Sequence, residues 1–162
     1  MIAATSIRFS IAAIPSDIAA RIRTTLVDDF GNQLVERPAD PAPCRHCLRI
    51  TTPGEALIVF AYRPFTGVGP YAEVGPVFVH AGACEAYAQQ DTFPQDFRNR
   101  MLTMRGYNAE GTIETAELSE AGNPESAIER LFSNERVSFI HVRNPAWGCY
   151  DFRIDRPSVS ST

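Results

Sequence analysis

The sequence predicts an α+β fold: a mostly antiparallel sheet of about seven or eight strands with two main helices packed on it. Three observations predict it. Short apolar or alternating runs recur along the chain, joined by tight turns or Gly/Pro-rich loops. Two segments place apolar residues at helical spacing behind helix-start signals. The length, 162 residues, with 44% hydrophobic and 21% charged residues, is that of one globular domain able to bury a core without disulfides or metal.

Residues 6–13 alternate like a strand. Pro15-Ser16-Asp17 then opens a helix, with Ser16 or Asp17 as N-cap, and Ile18, Ile22, Leu26 and Val27 form its apolar stripe up to Gly31. The three prolines of residues 37–43 predict an irregular loop inside the domain. Three runs follow, Cys44–Ile50, Glu55–Arg63 and Glu73–Ala81. Their connections, Thr51-Thr52-Pro53-Gly54 and the Gly/Pro loop over 64–72, are too short for a crossover and predict an antiparallel meander. A short helix is expected at 94–100, and a hairpin pairs Met101–Tyr107 with Gly111–Leu118. A second main helix starts at Asn123-Pro124 and runs to about Phe132, with Ala127, Ile128, Leu131 and Phe132 on one face. A last hairpin pairs Val137–Arg143 with Cys149–Asp155, and the tail over 157–162 is expected to fray.

Composition narrows the chemistry. All 15 basic residues are Arg, which excludes lysine Schiff bases, a P-loop lysine and a lysine general base. With a net charge of −4 and no basic block, nucleic acid is not an expected partner. No apolar stretch is long enough to span a bilayer, so no membrane partner is expected. Residues 1–15 lack a charged leader, and Arg8 and Ser10 break the apolar run. The four cysteines are therefore expected as reduced thiols in a cytoplasmic protein.

Cys44-Arg45-His46-Cys47 invites two readings: half of a zinc site completed by His80 and Cys84, or a redox CxxC. A strand over 44–50 argues against both. It would point Cys44 and Cys47 to opposite faces. It would also set them at the start of the first strand, with His80 at the far end of the third. A redox CxxC needs a following helix, and Leu48–Pro53 reads as strand and turn. No metal and no cofactor are therefore expected.

The meander places Cys44 opposite about Ala61, and Arg63 opposite about Glu73 as an ion pair. Cys44, Arg45, His46, Arg63, Tyr71 and Glu73 then gather at one sheet end beneath the glycine loop, able to hold a small anionic ligand. The competing reading is a structural ion pair with a packed tyrosine. In the last hairpin, Cys149, His141 and Asp151 share one face if Arg143 pairs with Cys149, a Cys–His–Asp arrangement that one register step would undo. Gly67-Val68-Gly69-Pro70-Tyr71-Ala72 matches a dinucleotide fingerprint but leads into a strand, not a helix, and is rejected.

Several blocks carry a family likeness: Pro43-Cys44-Arg45-His46-Cys47-Leu48, Tyr62-Arg63-Pro64-Phe65 and Pro70 to His80. Cys84-Glu85, Arg105-Gly106-Tyr107-Asn108 and Gly148-Cys149-Tyr150 extend it. In these the chain resembles the uncharacterised bacterial family named domain of unknown function 1203. The resemblance implies a single-domain protein of similar length and supplies no catalytic residues. The expected function is a small-molecule binder or enzyme with its site at residues 44–46, 63 and 71–73. The alternative is an interaction or structural domain with an exposed apolar patch around Trp147.

Overall fold

The computed structural model describes residues 7–38 and 40–157, and among these it has eight strands and three helices. In chain order they are β1 (Ser10–Ala12), α1 (Ser16–Thr25), β2 (Glu36–Pro38), β3 (Ala56–Tyr62), β4 (Gly75–His80) and α2 (Gln95–Arg98). Then come β5 (Leu102–Tyr107), β6 (Ile113–Ser119), α3 (Pro124–Phe132), β7 (Phe139–Arg143) and β8 (Tyr150–Asp155). The α+β class holds. The strands divide into a five-stranded sheet, β1-β8-β7-β5-β6, and a three-stranded sheet, β2-β3-β4, antiparallel at every ladder.

Each sheet has its own core. On one face of the large sheet, Met104, Ile140, Val142, Phe152 and Ile154 pack against Ile128 and Leu131 of α3 and Phe97 of α2. On the small sheet, Ile58, Phe60, Val77 and Val79 pack against Ile22 of α1. The second face of the large sheet is also covered, so all five residues of β7 are buried.

Asn123 caps α3, its side chain accepting from Ser126 N. α1 starts differently: Pro15 is its N-cap and no side chain caps it, because the Ser16 hydroxyl faces His46 instead. Its end is also earlier than the apolar stripe implies. Leu26 turns into the left-handed region (φ 51°) and ends the helix five residues before Gly31.

Two expectations about the meander are corrected. Glu36-Arg37-Pro38, within or beside the proline-rich stretch, is an edge strand on β3; an edge position tolerates Pro38 because one side of such a strand needs no N–H donor. The run 44–50 is not a strand. Leu48 N donates to Cys44 O (2.9 Å), and Leu48 takes φ 56°, so Cys44–Cys47 closes into a turn. Cys44 bridges Phe78 of β4 in parallel instead of facing Ala61. The expected β3–β4 hairpin is present, with Tyr62 opposite Gly75. Residues 1–6, 39 and 158–162, including part of the first expected strand and most of the expected frayed tail, lie outside the described residues.

Candidate metal centre

Closing the 44–47 turn aims both of its thiols the same way, toward the end of β4. The turn is held by backbone bonds to three other segments and to the residue just beyond Leu48. Arg45 N donates to Phe78 O (2.9 Å), Ile14 N to Arg45 O (2.9 Å), Tyr87 N to His46 O (3.0 Å) and Cys44 N to Arg49 O (2.9 Å). His80 closes β4 and Cys84 follows four residues later. One ligand atom from each of Cys44, Cys47, His80 and Cys84 falls within 4.8 Å of all the others. The Cys44 and Cys84 sulfurs are 3.8 Å apart, and Cys47 Sγ is 3.5 Å from His80 Nδ1. A tetrahedron built on Zn–S bonds of about 2.3 Å and a Zn–N bond of about 2.0 Å has edges of roughly 3.5–3.8 Å, so the set needs little movement to close on an ion.

The surrounding groups are those a thiolate centre needs. Cys84 Sγ faces Arg23 Nη2 at 3.0 Å and His46 Nδ1 at 3.1 Å. A metal-bound thiolate only accepts, so it selects the Nδ1–H form of His46 and leaves Nε2 to accept from the Ser16 hydroxyl (2.9 Å). His80 turns Nδ1 to the sulfurs and Nε2 toward Glu55 Oε1 (3.5 Å), a carboxylate behind a ligating imidazole. His80 N also donates to Cys44 Sγ (3.4 Å).

Charge is unevenly shared among the thiols. Cys44 is held down to about 4, first by the Cys47 thiol and then, against burial, by the backbone N–H groups of Cys47, His80 and His46. Cys47 is pushed up by that same hydrogen bond, by burial and by the Cys44 charge. Burial and the Cys44 charge push Cys84 up as well. Three thiols in one place cannot all ionise without a cation, and a divalent metal removes that conflict.

Cys47, His80 and Cys84 also form part of the wall of a groove of about 760 Å³, with Glu55, Tyr87 and Asp96 among its other walls; Cys44 lies behind them, buried. The 44–47 turn is followed by no helix, so the expected objection to a redox CxxC stands. The objection to zinc does not, because it rested on a strand that the turn replaces.

The six residues expected at one sheet end are divided. Cys44 and His46 belong to the thiol cluster. Arg45 is buried beside them in a structural role: it donates to Tyr150 O (2.8 Å) and Pro43 O (2.7 Å) and pairs with Asp151 (3.3 Å). Arg63, Tyr71 and Glu73 flank the opposite end of β4, about five residues or roughly 16 Å along the strand. The expected Arg63–Glu73 pair is absent: Arg63 donates to Gly67 O, while Glu73 pairs with Arg105 and Arg143.

The Cys149–His141–Asp151 arrangement is likewise undone. A bulge in the β7–β8 ladder leaves Val142 opposite Phe152 and Arg143 opposite Tyr150, skipping Asp151, so His141 faces Arg153. His141 is fully buried. Trp147 is 83% exposed and shares a small pocket with Met101 and Pro145.

Fold and cluster together define an α+β protein with a constellation of three cysteines and one histidine that could hold a metal ion. The chain belongs to the family described as protein of unknown function (DUF1203), which it matches over residues 41–156. All four cluster residues lie within that span. No curated protein and no solved structure matches the chain. No helix among the described residues is long and apolar enough to cross a membrane.

Proposed function

We propose that this protein binds zinc through Cys44, Cys47, His80 and Cys84, with His46, Arg23, Ser16 and Glu55 supporting the ligands. The observation that carries the reading is the convergence of four soft or borderline donors within 4.8 Å. Three thiolates and an imidazole suit Zn²⁺, whereas hard cations prefer oxygen. Four protein donors fill a tetrahedral shell, which supports a binding and fold-holding role over water activation. The reading carries with it a reducing compartment such as the cytoplasm, where the thiols stay free to ligate.

Metal analysis of protein purified without chelator tests it. One zinc per chain is expected, and cobalt substitution should give the visible absorption of a tetrahedral thiolate site. Cys84→Ser, which removes the least buried thiol, should weaken retention at least tenfold. A zinc content near zero after incubation with zinc, or undiminished retention by a Cys44→Ser/Cys47→Ser double variant, overturns the reading.

A further inference from the structure

The second face of the large sheet carries an arrangement that the metal centre does not use. Ladder partners share a face, so Arg105 and Tyr107 of β5 lie beside His141, Arg143 and Phe139 of β7. The loop between β3 and β4 covers them. Phe65 from that loop packs on Tyr107 and His141 at ring distances of 5.4 and 4.8 Å. Glu73 reaches in from its other end. One carboxylate oxygen lies 3.0 Å from Arg105 Nη1, the other 2.9 Å from Arg143 Nη2.

Two features of this face are unexplained by packing. Both ring nitrogens of fully buried His141, and Arg143 Nε, have no hydrogen-bond partner among the described residues. Each such group loses the hydrogen bond that water gives it in the unfolded chain. The charges are also unbalanced, since two guanidiniums share one carboxylate, and the Glu73 side chain is 47% exposed while that of Arg143 is 6% exposed. A solvent-reaching carboxylate on a buried cation is one that another carboxylate can replace.

We propose that this face is a binding site for a small carboxylate, held between Arg105 and Arg143 beside His141 and Tyr107, and that in this structure the side chain of Glu73 occupies the ligand's place. The 64–73 loop must lift to admit the ligand. It contains Gly67 and Gly69, and a Cβ at either would meet no atom within 4 Å, so no side chain lies over the loop there; the Gly67 carbonyl is held by Arg63. A space of about 370 Å³ lies on one side of the loop, lined by Phe65, Gly67, Gly69, Phe139 and Arg153 among others. A smaller one of about 190 Å³ lies on the other side, with Glu73, Arg143 and Tyr150 in its walls. Of the residues expected from sequence to serve a small anion, Glu73 is the one that reaches this site, and the site's cations come from the other sheet. Nothing in this site depends on zinc.

Backbone-amide NMR titration with sodium succinate at constant ionic strength tests the proposal, with sodium chloride as control. The zinc-loaded wild type and the Glu73→Gln, Glu73→Gln/Arg143→Gln and Glu73→Gln/Arg105→Gln variants are compared. Succinate should shift the Gly67 and Gly69 amides of the wild type. Glu73→Gln, which removes the internal competitor, should bind at least about tenfold tighter. Either arginine substitution in that background should abolish the gain. Arg105 is the partly exposed partner, so its variant answers the question if loss of buried Arg143 prevents folding. The proposal is overturned if Glu73→Gln binds succinate no better than wild type, or if the Arg105→Gln double variant keeps the tighter binding.

Discussion

At the scale of single residues, the structure separates groups that hold the fold from groups that cost it stability. Asp28 holds it. Its carboxylate accepts from Phe30 N, Asn32 N, Asn32 Nδ2 and Ala61 N, tying the turn after α1 to β3. Burial raises its pKa, but these bonds outweigh burial and leave it lowered. His141 is a cost. Burial first, then Arg143, Arg153 and Arg105, hold its pKa down to about 2, so it stays neutral wherever the protein is folded. In the unfolded chain it titrates near the usual value of about 6.5. Between those values the unfolded state binds the extra proton, so stability falls as pH drops below about 6.5. His141→Phe removes that dependence and the two unsatisfied nitrogens. The variant should be more stable at pH 7.5 by about 1–2 kcal/mol, and its advantage should grow by about 2 kcal/mol at pH 5, at ~1.4 kcal/mol per pH unit. Urea unfolding of both proteins at the two pH values measures this; an advantage that shrinks with acid contradicts the assignment. Comparing the two proteins cancels Asp151, whose pKa burial pushes up to about 6 against the pull of Arg45 and which therefore acts in the opposite direction over part of that range.

At the scale of elements, β5 carries the tightest steric constraint. Gly106 lies at a register shift between β5 and β6, where a Cβ would stand 3.0 Å from both γ carbons of Val137 and 3.4 Å from Thr115 Cγ2. Val137 is fully buried and cannot step aside. Gly106→Ala should cost about 1–3 kcal/mol, read as a lower urea midpoint with an unchanged slope. The elements were legible where local chemistry and tertiary demand agreed. Asn123-Pro124 announced α3, Asn108-Ala109-Glu110 the β5–β6 turn, and the Gly/Pro loop the β3–β4 hairpin. They were misread where a side chain was recruited elsewhere. Ser16 looks like an N-cap but serves His46. Cys44–Ile50 reads as a strand, yet Leu48 adopts a left-handed conformation that costs a non-glycine residue about 1–2 kcal/mol. Burial of Leu48 in the large-sheet core compensates for that cost. The Cys-x-x-Cys spacing, with His80 and Cys84 beyond, was the signal for the candidate metal centre, and the false strand hid it. Arg105 and Arg143 carried no signal, because a non-local strand pairing brings them beside Glu73.

At the scale of the molecule, the thiol cluster is a junction. Cys44 and Cys47 belong to the small-sheet core and Leu48 to the large-sheet core, while Arg23 of α1 donates to both His80 O (2.8 Å) and Cys84 Sγ. A metal there ties β4, α1 and the 81–84 segment to a turn that touches both sheets. Its removal should therefore weaken the whole protein, not only a loop. With free zinc at a thousandfold its Kd the ion contributes about 4 kcal/mol. A strong chelator should accordingly lower the melting temperature by roughly 8–16 °C, at about 2–4 °C per kcal/mol. Calorimetry with and without chelator, followed by zinc add-back, checks this; identical melting curves count against a structural ion.

The large sheet also sets an order of assembly. β1, the first strand described, forms its ladder with β8, the last, Ser10 opposite Asp155. The ribosome releases β8 long after that early strand. Cys44 to Cys84, by contrast, have all emerged well before β8 is made. The four donors of the candidate metal centre can thus meet on the nascent chain while Ile11 still waits, uncovered, for a neighbour. That interval is when the apolar edge meant for β1 is most open to a wrong partner.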